Sequence, residues 1–378
     1  MERLSEEREV STDVLVVGAG LAGLHVATLL AGAGHDVLLA ERRPTLNGTV
    51  RTTGIFVRRT LEDFDLPAAH LGPAIRRVVL YPPDLTDPVA LASERDEFRV
   101  GDMGPLYAAA AREAVDAGVT LQLATRFTGG SDGAYDLIGP GGPLRVRAHF
   151  VVGADGARSK VAQELGLSRN RHLLVGAEEV FPDRRDDVVP TFHCVVDPSI
   201  APGYLAWVVR DGEHVHVGTA GYPNRFPTGV YSALRSFTAR ALGLDGITPP
   251  PDTEKRAGPI PVGGVLPRIS SPHGLLVGDA AGAVSPLTAG GLDPCLRLSA
   301  HAAEILDDAL HTGLRRPLKN YDGKTLRARF RGRLLLRNGL AQVRTPVAAS
   351  SAFAALRTPL GRRAAHRILF GAGSFPLP

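Results

Sequence analysis

The sequence predicts an α/β protein. It combines a Rossmann-like nucleotide-binding domain, an inserted and mostly antiparallel β-sheet domain, and helices at the C-terminal end. Three observations carry this. Between Asp13 and Glu41 an apolar strand runs into glycines at G-x-G-x-x-G spacing, then into a helix and a second strand. From about Leu167 to Pro267 helical periodicity fades, and short β-rich pieces appear between prolines and glycines. From Pro317 to Phe370 the pattern is helical again, broken near Thr345-Pro346 and Thr358-Pro359.

Val14 to Val17 form the apolar run of a strand buried on both faces. Gly18 permits the tight turn out of it, Gly20 lets backbone approach a pyrophosphate, and Gly23 lets helix pack closely on sheet. Leu21 and Ala22 open a helix to Ala33, whose start offers N–H groups to an anion. Val37 to Ala40 form a second buried strand. It ends at Glu41, where a carboxylate can accept hydrogen bonds from two ribose hydroxyls, with Arg42 beside it. The unit reads as a dinucleotide site, and at this point NAD and FAD both fit.

A polar turn at Asn47-Gly48 follows. The loop through Thr49–Ile55 is expected to return towards the cofactor and bring Arg51 to a phosphate or substrate. Arg76 to Tyr81 and Val89 to Ala92 read as strands on either side of Pro82-Pro83. Leu106 to Ala117 is an Ala-rich helix ending at Gly118. Val119 to Ala124 and Ala134 to Ile138 are expected strands, with a Gly129–Gly133 turn between them. Leu144 to Val152 is a further strand. It runs into a second glycine turn, where Asp155 and Gly156 present a carboxylate and backbone before a helix from Ser159 to Leu165.

Within the inserted sheet, Thr191–Val196, Tyr204–Val209 and His214–Thr219 read as strands. Tyr204 and Trp207 are candidates to line a substrate cavity. His214 and His216 alternate and share a face, but no third ligand is spaced to complete a metal site, so core-edge histidines and no metal are expected. A third motif restores the first domain: a buried strand from Gly274 ends in Gly278-Asp279, and Pro286 leads to the paired glycines Gly290-Gly291, Leu292 and a helix from Asp293 to Leu310. Asp279 can accept hydrogen bonds from a polyol. Cys295, near that helix start, has either a lowered thiol pKa or the role of a small core residue. The expected division is 1–80, 100–166 and 268–312 for the nucleotide domain, 81–99 and 167–267 for the β-sheet domain, and 313–378 for the helical end.

Composition narrows the function. The chain has 378 residues and is 44% hydrophobic, enough for a sizeable core. Two cysteines, Cys194 and Cys295, rule out a disulfide framework. The charged start MERLSEEREV has no apolar core of a signal peptide. A cytoplasmic protein is expected, with membrane association left open. The formal net charge of +4 is unevenly placed, for Arg315 to Arg344 is basic with Asp322 as its only acid. That stretch is a solvated face, or a surface for an anionic membrane or an acidic carrier protein. No aromatics interleave with its arginines, so nucleic acid is not an expected partner.

The three motifs, in this order and spacing, resemble the FAD-dependent oxidoreductases of the para-hydroxybenzoate hydroxylase superfamily, whose nucleotide domain is of the glutathione reductase type. The resemblance implies FAD, with Glu41 at the adenosine ribose, Asp279 at the ribityl chain and the Gly290-Gly291 helix start at the pyrimidine edge of the flavin. The stretch from Val277 to Glu304 is most similar to the geranylgeranyl reductase branch, which reduces isolated C=C bonds of isoprenoid chains. Where that branch often carries a cysteine, this chain has Thr52-Thr53-Gly54, and Tyr204 and Trp207 match its aromatic signature only in part.

The resemblance implies an FAD-dependent oxidoreductase acting on a hydrophobic small molecule, an isoprenoid or polyketide-like one, by C=C reduction. A flavin monooxygenase, hydroxylase or epoxidase, working through a C4a oxygen adduct uses the same motifs and stays open. So does a non-redox protein in which FAD scaffolds binding or cyclisation. No second glycine fingerprint is visible, so NAD(P)H visits transiently or a separate reductase supplies electrons.

Overall fold

In the computed structural model the described residues are 8–46, 50–183, 188–240, 250 and 253–371. The turn expected at Asn47-Gly48 lies outside them. The chain opens with β1 (Arg8–Val17), α1 (Leu21–Gly32) and β2 (Val37–Ala40). An excursion follows through β3 (Ile55–Val57), α2 (Arg58–Asp63), β4 (Arg77–Tyr81), β5 (Val89–Ala92) and β6 (Phe98–Val100). The chain returns through α3 (Met103–Asp116), β7 (Thr120–Gln122), β8 (Arg126–Ser131), β9 (Ala134–Gly139), β10 (Gly142–Gly153) and α4 (Lys160–Glu164). β11 (Leu173–Pro182), β12 (Thr191–Val195), β13 (Ala206–Arg210), β14 (His214–Gly221), α5 (Val230–Thr238) and β15 (Glu254–Pro261) form the insertion. β16 (Ser270–Ser271), β17 (Gly274–Leu276) and α6 (Leu292–Thr312) rejoin the first layer. Then come α7 (Gly323–Ala328), α8 (Arg331–Gln342), α9 (Pro346–Arg357) and α10 (Pro359–Phe370).

The first sheet runs β16-β17-β10-β1-β2-β7, with β17, β10, β1, β2 and β7 parallel. Val14 to Val16 are fully buried in it, as a parallel strand covered on both faces requires. α1 packs on α6 and α3 over one face. The hairpin β8–β9 extends the open end of β10. Here the expected long turn is corrected. Gly129 to Ser131 belong to β8, and the turn is Asp132-Gly133, both at positive φ as a tight hairpin needs. Gly130 is a strand glycine because an added Cβ would meet Ala134 O at 2.4 Å.

The second sheet runs β15-β11-β14-β13-β12-β4-β5 and is antiparallel except between β12 and β4. β4 and β5 are thus borrowed from the excursion, and β4 already begins at Arg77. The sequence reading passed over β11 and β15. β11 carries two adjacent acids, Glu178 and Glu179, both buried, which breaks the alternation expected of a strand with one wet face. One face of this sheet packs on α5 through Leu234 and Phe237. The other meets Phe353 of α9 and Ala365 and Phe370 of α10.

The C-terminal stretch ties the two layers together. Leu318, Tyr321, Leu326 and Phe330 sit in the first core, while Phe353 and Phe370 sit in the second. The basic run Arg315–Arg344, which the sequence pattern places on the first C-terminal helix, is not confined to one helix. It spans the turn Arg316–Asn320, α7 and α8, because Asp322 caps α7 from its own N-terminus and starts a new helix. No described helix is long and apolar enough to cross a membrane.

Candidate functional site

A cavity of about 430 Å³ lies between the two sheets. It collects residues from all three glycine motifs. Gly20, Leu21 and Ala22 enter from the start of α1, Gly156 from the turn after β10, and Gly278, Asp279, Gly290, Gly291 and Leu292 from the segment before α6. Arg51, Tyr204, Trp207 and Cys295 also line it. Gly18, Gly23, Glu41, Arg42, Asp155 and Pro286 do not.

The three fingerprint glycines are glycines for different reasons. An added Cβ at Gly23 would meet Gly18 O at 1.9 Å. At Gly18, held at φ +103°, it would meet Ala154 O at 2.5 Å. Those two are required by the protein's own packing. At Gly20 an added Cβ meets nothing within 4 Å, and φ is an ordinary −77°. The chain's own packing does not demand a glycine there, and the bare backbone leaves room for a close-lying pyrophosphate.

Asp279 gives a second sign. Its carboxyl faces the cavity with no hydrogen-bond partner among the described residues, and burial pushes its pKa up to about 6. A polyol hydroxyl donating to it would relieve that desolvation. The start of α6 carries no side-chain cap, and it lies beside the same carboxyl, since an added Cβ at Gly291 would sit 3.7 Å from Asp279 Oδ1. These features fit the ribityl and pyrimidine portions of FAD.

Glu41 and Asp155 are already engaged. Glu41 Oε2 accepts from Ala19 N–H at 2.9 Å, and Oε1 accepts from Arg43 N–H at 2.9 Å and Nε–H at 3.0 Å. Burial opposes its charge, but those donors win and its pKa is lowered. The neighbour that pairs with it is Arg43, whereas Arg42 is exposed. Asp155 Oδ2 accepts from the N–H groups of Lys160 at 2.7 Å and Val161 at 3.2 Å, so it holds α4 in place. Its Oδ1 is buried without a partner, and desolvation raises its pKa. Pro286 is buried behind the site against Gly264.

Three substrate-side candidates divide by chemistry. Tyr204 O–H donates to Thr288 O at 2.5 Å, and the Arg337 guanidinium lies 5.6 Å from its ring centre, so the hydroxyl serves the fold. Cys295 is buried, and desolvation raises its thiol pKa. The lowered value offered at the sequence level is corrected, because the surroundings are apolar or anionic. Trp207 lies across Gly218 of the neighbouring strand, where an added Cβ would sit 2.2 Å from the indole.

Trp207 leads to a polar cluster that sequence reasoning missed. Its Nε1–H donates to Glu178 Oε1 at 3.2 Å, and Thr53 O–H donates to the same oxygen at 2.6 Å. Arg256 Nη1 is 3.8 Å from Glu178 Oε2, and it also donates to Thr52 O at 3.2 Å. His216 Nδ1 is 3.6 Å from Glu178 Oε1, and its Nε2 is 3.0 Å from Asp211 Oδ2. Thr53, Glu178, Trp207 and Arg256 all line the cavity. His216 is therefore no core-edge residue: it is 1% exposed between two carboxylates. Burial disfavours its charge, but Asp211 and Glu178 prevail and raise its pKa to about 9. Burial likewise opposes the charges of Glu178 and Asp211, yet His216 holds both below the usual carboxylate range, Asp211 at about 2. His216 shares β14 with His214, but its partners come from β11 and the turn before β14, which strand spacing does not reveal. Away from the cavity, His35, Asp307 and His311 bring ligand-type atoms within 4.8 Å of one another, with His35 Nε2 2.7 Å from Asp307 Oδ1.

Comparisons with known proteins bear on the family, the fold and the cofactor. Residues 16–77 match the model of an NAD(P)-binding Rossmann-like domain, and residues 109–190 match that of an FAD binding domain. A digeranylgeranylglycerophospholipid reductase from Methanopyrus kandleri is 31% identical over 317 residues, covering 79% of this chain and 81% of that protein. Two solved structures share the fold. A geranylgeranyl bacteriochlorophyll reductase-like protein from Thermoplasma acidophilum superposes with a TM-score of 0.81 at 22% identity, over 96% of this chain and 100% of that one. A p-nitrophenol 4-monooxygenase from Pseudomonas putida superposes with a TM-score of 0.66 at 20% identity, over 97% of this chain and 94% of that one.

Proposed function

The chain belongs to the geranylgeranyl reductase family of FAD-dependent oxidoreductases, and from that premise we propose that it reduces isolated C=C bonds of an isoprenoid-like chain held in the cavity. The observation that carries this reading is the make-up of the cavity, in which an apolar wall faces the glycine motifs. Ile55, Val57, Phe98, Phe192, Ile260 and Leu369 form that wall and suit an aliphatic chain.

Under this reading Gly20, Leu21 and Ala22 lie against the pyrophosphate of FAD. Asp279 receives the ribityl hydroxyls, and Gly290, Gly291 and Leu292 face the pyrimidine edge. Glu41 takes the adenosine ribose by giving up part of its bonding to Arg43. Gly18 and Gly23 act from behind by holding the loop, and Asp155 by fixing α4. Arg51, at the cavity mouth, meets a phosphate or the polar end of the substrate. Reduced FAD, when bound, supplies the hydride; the chain's own residues orient the alkene, exclude water and provide the proton. Electrons arrive from NAD(P)H binding transiently or from an external reductase.

The basic stretch supports a peripheral contact with an anionic membrane. Leu335 and Leu336 are exposed on α8 among its arginines, and Val347 on α9 and Leu360 on α10 are exposed on the two helices that follow. Sedimentation with anionic vesicles, lost at high salt, is the expected result; binding to an acidic carrier protein instead would redirect it.

The function is tested anaerobically. Dithionite-reduced holoprotein, mixed with an isoprenoid alkene, should form the saturated product and oxidised flavin without O2. A strict O2 requirement, with labelled oxygen in the product, overturns the reduction reading in favour of monooxygenation. Turnover by flavin that is never reduced overturns both.

A further inference from the structure

Reduction of an isolated alkene adds a hydride to one carbon and a proton to the other. The polar wall of the cavity contains a chain of groups able to move that proton. Thr53, from the loop before β3, reaches the cavity and is 2.6 Å from Glu178 on β11. Glu178 lies beside His216 on β14, and His216 is hydrogen-bonded at 3.0 Å to Asp211 in the β13–β14 turn. Asp211 is partly exposed, so the chain runs from the solvent side of the second sheet into the cavity.

We propose that Asp211, His216, Glu178 and Thr53 form a proton relay, with Thr53 O–H delivering the proton to the substrate. This rests on the reading of the site as a C=C reductase. In the step, one alkene carbon would gain a C–H bond from the hydride that bound, reduced FAD would supply, and the π bond would break. The Thr53 proton forms the second C–H bond. Thr53 Oγ regains a proton through Glu178 from His216, which recovers its own from solvent by way of Asp211. The products are the saturated chain and oxidised FAD, and no further oxidant or reductant is needed.

The neighbours of each member set its task. Glu178 faces His216 from β14, Arg256 from β15 and the indole N–H of Trp207 from β13, so its charged form is well supported. One link is open. His216 Nδ1 lacks a hydrogen bond at 3.6 Å from Glu178 Oε1, and Glu178 Oε2 is buried without a hydrogen-bond partner. A shift of about half an ångström closes that link. A cluster needed only for stability has no reason to leave both His216 Nδ1 and Glu178 Oε2 without a hydrogen bond. His216 faces Asp211 and Glu178, while His214, on the same strand, approaches Asp211 at 3.5 Å from the solvent side.

The test uses FAD-loaded protein and the variants Thr53→Val, Thr53→Ser, Glu178→Gln and His216→Gln, with flavin content checked by absorbance. Thr53→Val should lower kcat about 100-fold at little change in KM, with Thr53→Ser restoring most of it. The wild-type rate should fall above about pH 9, where His216 loses its proton, and His216→Gln should remove that limb. Independently of turnover, NMR titration should show the His216 pKa falling in Glu178→Gln. An unchanged His216 titration in Glu178→Gln overturns the relay even if the protein reduces no alkene. If alkene reduction is intact but Thr53→Val keeps full rate and the same pH profile, the relay is wrong and the reductase reading stands.

Discussion

The β1–α1–β2 unit and the Thr53–Glu178–His216 cluster lie on opposite sides of one cavity and are built on opposite principles. The first works through backbone. Its glycines remove side chains so that main-chain atoms can approach one another or a ligand, and all of its parts fall within Arg8–Glu41. The second works through side chains. Its members stand at 53, 178, 207, 211, 216 and 256; strand register brings 178, 207, 216 and 256 together, and the loop before β3 and the β13–β14 turn add 53 and 211. A backbone site is specified by spacing along the chain, and a side-chain site by how strands pair and where their loops return.

The sharpest way to break the first side is Gly23→Val. The new Cβ would occupy the space of Gly18 O, so a loss of about 3 kcal/mol or more is expected, read as a collapse of the thermal midpoint. A midpoint within a degree of the parent would mean that the tight glycine loop is not what holds helix to sheet. On the second side the matching variant is Gly218→Ala. Its Cβ displaces the Trp207 indole, for about 1–3 kcal/mol of destabilisation and a changed tryptophan fluorescence, Trp207 being the only tryptophan. An unaltered spectrum would show that the indole does not depend on that gap.

Gly20→Ala separates ligand from fold. No atom lies where its methyl would go, so stability should stay within about 0.5 kcal/mol while FAD retention on desalting drops about tenfold. Asp279→Ala should weaken FAD retention to a similar degree. Full flavin occupancy in both variants would remove the basis for placing FAD across this cavity.

The smallest effects distinguish the two sides by pH. His216 has a folded pKa raised to about 9 from 6.5, so its stabilising contribution is complete below about pH 6.5 and is lost as pH rises through about 9. His25 of α1 behaves oppositely. Burial lowers its pKa to about 4, so the folded state loses stability as pH falls below 6.5 towards 4. Urea midpoints should therefore fall on both limbs, with Glu178→Gln flattening only the alkaline one and His25→Gln only the acid one. A single variant that flattened both would show that the sides are coupled.

Much of the first side was legible in the sequence because its determinants are local. Buried parallel strands read as unbroken apolar runs, and glycines at fixed offsets announce the turn between strand and helix. The same logic found Asp279 and the Gly290-Gly291 helix start. It erred over Gly129–Gly133, where two glycines serve a strand instead of a turn. On the second side the readable residues were the aromatic ones, Tyr204 and Trp207. Glu178 and Arg256 were invisible because a charged residue in an irregular β segment reads as surface until its partners are known. His216 was seen, but as one of a pair with His214, when its partners lie across the sheet.

By itself the sequence determined a dinucleotide fold completed by strands more than two hundred residues apart, because each of its three motifs carries its own turn chemistry. The tertiary structure alone decided which two fingerprint glycines are bare for packing and which one has open space beside it. It also decided that Thr53, Glu178, His216 and Asp211 come together in one cluster. Both are questions of what occupies the space beside an atom, and that space is filled by residues remote in the chain.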